Sequence, residues 1–246
     1  MAEFYDKVKI SVEITRILAL SIGDFFTKRL LILSLIPSLI AILFWSMVFL
    51  LFHSQLKEFA HSLIAYVPFA TADWIENIAS MVILIFLFYQ FVLITVILSL
   101  VFLAKKIVLS INEKHYHLGL NGDGSLSTSF LVALKASVIF LLLYLLLLPT
   151  LFIPGINVAV HLALWSILIK QPLLCSSTVM VAEKSEYKSL LRKHRWSLIL
   201  MSVLLSVLYI IPVIGAFVAV FQLVVFAHYS LTKIKQGRGE PAVVPD

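Results

Sequence analysis

The chain has 246 residues, of which 61% are hydrophobic and 13% charged, with a net charge of +6 and a mean hydropathy of +1.06. This composition excludes a soluble domain and predicts a polytopic membrane protein. Because Cys175 is the one cysteine, an internal disulfide and a cysteine-based metal site are also excluded. No phosphate-binding glycine loop, nucleophile elbow or zinc-protease helix is present, so we expect no enzyme activity and no cofactor.

The chain begins with a pattern typical of an amphipathic helix over residues 4–26. Ile14 lies on its apolar face and Arg16 on its charged face, which predicts a helix lying along the bilayer surface. Gly23 and Asp24 predict a break before the next segment. The basic balance of a membrane protein reflects its cytoplasmic loops, so no nucleic-acid partner is expected.

Two long apolar segments, residues 30–53 and 78–113, predict full transmembrane spans, and the second continues as one helix past a pair of lysines. A polar segment over residues 54–76 separates them. It has one basic and three acidic residues, whereas the rest of the chain has eighteen basic and ten acidic residues. The positive-inside rule therefore predicts that both termini are cytoplasmic.

Two further regions, residues 126–182 and 185–232, each contain a long run without a charged residue. Near the middle of each run stands an apolar proline–glycine break, at residues 153–156 and 211–215. The uncharged arms beside the breaks have about 13 to 18 residues, and a span needs about 20. We therefore predict two re-entrant helical hairpins, with six short spanning helices as the alternative. The tail, residues 233–246, is predicted to be flexible.

The segments 152–156, 189–196 and 210–215 occur in an order and at a spacing that resemble the CysZ sulfate-permease family, which includes the etoposide-induced membrane proteins. The resemblance implies an all-α membrane protein with two long transmembrane helices, two hemi-penetrating hairpins and amphipathic surface helices. It also implies a homo-oligomer in the bacterial inner membrane. Such a protein admits sulfate or a related oxyanion for cysteine synthesis.

The resemblance further implies a sulfate-binding turn before the first span. Bacterial members have a glycine, an apolar residue and two arginines there, and this chain has Phe26, Thr27, Lys28 and Arg29. The basic pair is retained and the glycine is not. Two cations beside free backbone amides are suited to bind an oxyanion. The alternative role for the pair is a positive-inside anchor that reaches lipid phosphates.

The hairpin tips form a second candidate anion site, because a helix that begins inside the membrane has unpaired amide groups and a positive dipole end. The alternative is that neighbouring helices satisfy these amides. His161 is expected either to line a pathway or to be packed and hydrogen-bonded. The candidate residues at or near the tips are Pro154, Gly155, Asn157, His161, Pro212 and Gly215.

A basic cluster that includes Arg192 and Arg195 precedes the second hairpin. It predicts either a vestibule that attracts oxyanions or a surface that rests on anionic lipid. Because transport needs a polar route and the chain offers few polar residues at depth, the partners expected are the bilayer, an oxyanion and further copies of the chain. A scaffold or assembly factor that transports nothing is the alternative function.

Overall fold

The computed structural model describes residues 2–64, 73–153 and 155–239, and within these ranges it contains helices and connecting turns but no strand. Residue 154, residues 65–72 and the end of the predicted tail, residues 240–246, lie outside the described part. The α-helices are α1 (Ala2–Phe25), α2 (Lys28–Leu51), α3 (His53–Ile64), α4 (Asp73–Ile111), α5 (Leu126–Leu146), α6 (Ile156–Thr178), α7 (Lys184–Lys193), α8 (Arg195–Ser206) and α9 (Pro212–Gly237).

Five helices of the described chain are long and apolar enough to cross a membrane: α2, α4, α5, α6 and α9. The segment from α7 through Ile210 would make a sixth span, but it is bent by 78° between α7 and α8. An all-helical chain with this many apolar helices is a multi-pass membrane protein. The predicted class is therefore confirmed.

The amphipathic helix α1 ends at Phe25, so the break predicted at Gly23 and Asp24 was placed too early. Gly23 remains helical because a single glycine costs only about 1 kcal/mol there, less than packing contributes. Ile14 is buried and Arg16 exposed, which confirms the predicted faces of the helix.

The long helix α4 passes the lysine pair as predicted and continues into a π-helical turn, Asn112–Tyr116. The side chain of Asn112 closes this turn: its Nδ2 donates to the Leu118 carbonyl at 2.9 Å, and its Oδ1 accepts from the Leu118 amide at 3.1 Å. Lys114 and His115 lie within this turn.

The arms beside the first break are longer than predicted. Helix α5 has 21 residues and α6 has 23, or about 31 and 34 Å. The sequence predicts a helix that passes through Lys135 into the first break, as α5 does. It also predicts a return that ends at Lys170 and Pro172, which is wrong because α6 continues through both residues to Thr178. Long lysine side chains and an isolated proline are both tolerated in such helices.

The arms beside the second break differ strongly in length. Helix α8 has 12 residues and continues as a short 3-10 segment, Val207–Ile210, whereas α9 has 26 residues. Helix α9 ends at Gly237, so the predicted flexible tail begins inside this helix. The protein surrounds α9 with α1, α2, α4 and α6, and residues 223–227 have no exposed surface. A helix that is apolar on all sides forms the core of its bundle.

Candidate anion-binding site

The turn between α1 and α2 is held by its own backbone. The Thr27 amide donates to the Asp24 carbonyl at 3.1 Å, and Thr27 then caps α2 with an extended conformation. Its carbonyl accepts from the amides of Leu30 and Leu31 at 3.0 and 3.1 Å. Because the first amides of a helix have no helical acceptor, this turn directs partial positive charge toward its surroundings.

A small cavity of about 70 Å³ lies between this turn and the end of α4. Helix α4 and its π-turn contribute three polar side chains at intervals of four residues, which places them on one face. The cavity therefore contains three cationic groups, two hydroxyls and one carboxylate. The polar lining residues are Asp24, Thr27, Arg29, Lys106, Ser110 and Lys114.

Asp24 fixes one of these cations in position. Its Oδ1 accepts from the Lys114 amine at 2.6 Å, and its side chain is 9% exposed. Burial alone would raise the pKa of the Asp24 carboxyl, but hydrogen bonds from His228 and Lys114 and the nearby His115 outweigh it and lower this pKa. The carboxylate is therefore ionised and holds Lys114 at the wall of the cavity.

The structure brings together two of the three residues predicted for sulfate binding. Thr27 and Arg29 line the cavity, whereas the exposed Lys28 is outside its lining. Sequence reasoning missed Lys106 and Lys114, which lie about 80 residues further along the chain. Their spacing of eight residues indicated a common helical face, but only packing against the α1–α2 turn shows what that face contacts.

The first tip has an unusual backbone. Gly155 has a φ of 83° and immediately precedes α6, which begins at Ile156 as predicted. A left-handed φ favours glycine because it has no Cβ. The Asn157 amide donates to the Ile153 carbonyl at 3.1 Å, so this amide at the tip has a backbone partner. Pro154 is outside the described residues.

His161 is packed within an aromatic group. Its Nδ1 donates to the Asn157 carbonyl at 2.9 Å, and its ring centroid is 5.7 Å from that of Tyr144 and 5.2 Å from that of Trp165. Trp165 Nε1 donates to Gln90 Oε1 at 3.0 Å. Three buried polar atoms of this group have no hydrogen-bond partner among the described residues: Gln90 Nε2, Tyr144 Oη and His161 Nε2.

The second tip is packed closely against α4 and α2. A Cβ at Gly215 would collide with Tyr89 Oη, and Tyr89 donates to the Tyr209 carbonyl at 2.8 Å. Beside Gly215, the Ser38 hydroxyl donates to the Ala216 carbonyl. Pro212 is the first residue of α9, a position that proline favours.

The second tip is separate from this cation-lined cavity. Ser38 follows Lys28 by ten residues, or about 15 Å of helix, so the second tip lies well beyond the cavity along α2.

The predicted basic cluster lies at the surface. Arg192 lines an open pocket of about 340 Å³ with two lysines, and the Arg195 guanidinium lies 5.6 Å from the centre of the Trp196 ring.

These features define a multi-pass α-helical membrane protein with a cation-lined cavity at the start of its first long span. Residues 17–219 match the family model described as Sulfate transporter CysZ/Etoposide-induced protein 2.4. The match covers most of the chain, which therefore belongs to this family, as the sequence motifs suggested. No curated protein and no solved structure matches the chain.

Proposed function

We propose that this protein is an inner-membrane permease or channel for sulfate or a related oxyanion, and that the cavity between the α1–α2 turn and α4 binds the anion. The observation that supports this function most directly is the convergence of Arg29, Lys106 and Lys114 on one cavity of about 70 Å³. Such a size accommodates a small inorganic ion rather than a metabolite.

The charges of the cavity suit a dianion. Three cations and the Asp24 carboxylate sum to +2, and Thr27 and Ser110 provide hydroxyl donors. Hydrogen bonds between charged partners are about twice as strong as neutral ones, and the arginine fork can bind two oxygens of one oxyanion. Chloride would be attracted by the same positive charge but has no separate oxygen atoms to accept these directed hydrogen bonds. The site should therefore favour oxyanions.

The proposal includes the arrangement of two long spans and two re-entrant hairpins. For the second hairpin, α2 and α9 provide two independent measures of depth. Along α2, the segment from Lys28 to Ser38, which contacts the tip, is about 15 Å long. Along α9, the segment from Ala216, at the tip, to His228, which contacts Asp24, is about 18 Å long. Both values are about half of the 30 Å hydrocarbon layer, which supports a turn near its middle.

The first hairpin can be measured from its lysines. The part of α5 between Lys135 and its end is about 17 Å long, and the part of α6 between its start and Lys170 is about 21 Å long. If both lysines lie at the cytoplasmic interface, this tip also lies within the hydrocarbon layer. The three unpartnered atoms of Gln90, Tyr144 and His161 then lie at membrane depth, where the Gln90 amide and the Tyr144 hydroxyl can donate to a passing water or anion and His161 Nε2 can accept from a water.

The remaining parts of the proposal are the cytoplasmic termini and a homo-oligomer. On α2, Leu43 and Leu50 are 69% and 79% exposed, so this helix presents apolar surface to lipid or to further copies of the chain. A pore formed within or between protomers would supply the polar route that one chain offers only in part.

Purified protein in liposomes tests the function. We expect uptake of labelled sulfate that depends on the protein, is reduced by excess sulfite or phosphate, and is little affected by excess chloride. Liposomes that contain correctly folded protein and take up no oxyanion would instead support a non-transporting scaffold.

Topology has a separate test. In a Cys175→Ser background, Ile156→Cys and Ile214→Cys each place one cysteine beside a tip, and Lys184→Cys provides an exposed reference. A membrane-impermeant maleimide should label position 184 rapidly in one vesicle orientation. The same reagent should label the tip positions slowly in both vesicle orientations. Rapid labelling of a tip from the side opposite to position 184 would show that its hairpin crosses the membrane.

A further inference from the structure

Three potential metal ligands from separate parts of the chain converge beside the anion cavity. Asp24 lies in the last turn of α1, His115 lies in the π-turn after α4, and His228 lies on α9. Their ligand atoms all lie within 4.8 Å of one another. The Nε2 atoms of His115 and His228 lie 2.8 and 3.0 Å from the same oxygen, Asp24 Oδ2.

We propose that Asp24, His115 and His228 bind a divalent transition-metal ion, with zinc as the best match to the donors. One carboxylate oxygen and two imidazole nitrogens form a common zinc-binding set, which leaves a fourth position for water or an anion. This inference does not depend on transport, because the three ligands would bind a metal whether or not the protein transports sulfate.

The two distances from the carboxylate to the histidines require only a small adjustment, and the two histidine nitrogens, which lie within 4.8 Å of each other, would move together around the ion. With metal–ligand distances of about 2.0 to 2.2 Å, tetrahedral ligand atoms lie about 3.3 Å apart. The two oxygen–nitrogen distances of 2.8 and 3.0 Å would therefore increase by less than about 0.5 Å. Without metal, the two Nε2–H groups donate to the carboxylate. With metal, their lone pairs would replace these hydrogen bonds.

Tyr116 can support His228 in both states. Its hydroxyl lies 3.0 Å from His228 Nδ1, 3.1 Å from the His228 carbonyl and 3.1 Å from Thr232 Oγ1. When Nε2 carries the proton, Tyr116 donates to Nδ1. When Nε2 binds a metal, Nδ1 carries the proton and donates to Tyr116, which then donates to the carbonyl. Such an outer partner fixes the tautomer and orientation of a metal-binding histidine.

The surrounding charges leave one face of the carboxylate for the ion. Lys114 binds the other oxygen, Oδ1, at 2.6 Å, and its side chain is 60% exposed, so solvent screens its charge. His228 is fully buried, Asp24 is nearly so, and the His115 side chain is 20% exposed. The partly exposed His115 provides both the side from which an ion can enter and the ligand best suited to mutation.

The test uses purified full-length protein without a histidine tag, titrated with Zn²⁺ in a calorimeter and with Co²⁺ in a spectrophotometer. We expect one equivalent to bind and Co²⁺ to give the strong visible bands of a tetrahedral site. His115→Ala should weaken affinity about 100-fold or more, because even loss of an outer partner costs 10- to 100-fold. The control is His117→Asn, at an exposed histidine whose left-handed φ of 56° asparagine tolerates.

Thermal unfolding of each metal-free variant would establish that it is folded. Equal affinities in the unmodified protein and folded His115→Ala, or the absence of tetrahedral cobalt bands from the unmodified protein, would each overturn the proposal.

Discussion

The proposed anion site predicts that neutralising either Arg29 or Lys106 weakens sulfate binding, whereas neutralising the adjacent basic residue does not. Arg29 and Lys106 both line the cavity, one from α2 and one from α4. We therefore expect Arg29→Gln and Lys106→Gln each to reduce sulfate affinity and sulfate uptake. The glutamines keep most of the side-chain volume and remove the charge.

The magnitude follows from the type of contact. A hydrogen bond to a charged group contributes about 1.5 to 3 kcal/mol. At about 1.4 kcal/mol for each factor of ten, either substitution should weaken binding about 10- to 150-fold. Because both cations face the same small cavity, the double variant should lose less than the product of the two single effects, since neighbouring sites do not act independently.

The assay measures the concentration dependence of labelled sulfate uptake into liposomes, normalised to the amount of folded protein, together with direct sulfate binding. The chain provides matched controls in Lys28→Gln and Lys105→Gln. Each changes an exposed cation next to one of the tested residues but outside the cavity lining. All four variants remove one positive charge, so they share any general effect of net charge on attraction of the anion.

The reasoning would be refuted if all four variants lost the same fraction of binding, because the cavity would then contribute nothing beyond general electrostatics. It would equally be refuted if Lys28→Gln lost more than Arg29→Gln. In that case the basic pair would act at the lipid or solvent surface and not through this cavity.

Two further predictions concern stability, both measured by thermal unfolding in detergent. Gly215→Ala should destabilise the protein by about 1 to 3 kcal/mol because its Cβ would collide with Tyr89. The control, Gly23→Ala, has open space around it and should be neutral or stabilising. Equal effects of the two substitutions would contradict the packing of the second tip. The hydrogen bond from Arg238 lowers the pKa of Glu186. At pH values above the ordinary glutamate pKa of about 4.3, this ion pair should therefore add about 1 kcal/mol to the free energy of unfolding. This contribution should disappear as the pH falls through the lowered value. Glu186→Gln should remove that part of the pH dependence, and an unchanged profile would argue against the pair.

The sequence alone determined the membrane class, the first apolar break and the family. Each of these depends on local composition or on motifs in chain order, which tertiary contacts do not alter. The second break was predicted at residues 211–215, but α9 begins at Pro212, and the Gly215 amide donates to the Ile211 carbonyl at 2.8 Å within this helix. The helix after the first break was predicted too short for a related reason. The prediction ended it at Lys170 and Pro172, but α6 continues through both residues, since a long lysine side chain can carry its charge to the interface.

Only the tertiary structure decided which polar residues meet. The predicted Thr27 and Arg29 share a cavity with Lys106 and Lys114, and the adjacent Asp24 also contacts His228, about 200 residues further along the chain. Helical periodicity specifies which residues share one face, but the partner of that face depends on how whole helices pack. The level along α2 at which the second tip packs was likewise set by tertiary contacts, through the hydrogen bond of Ser38 to the chain beside Gly215.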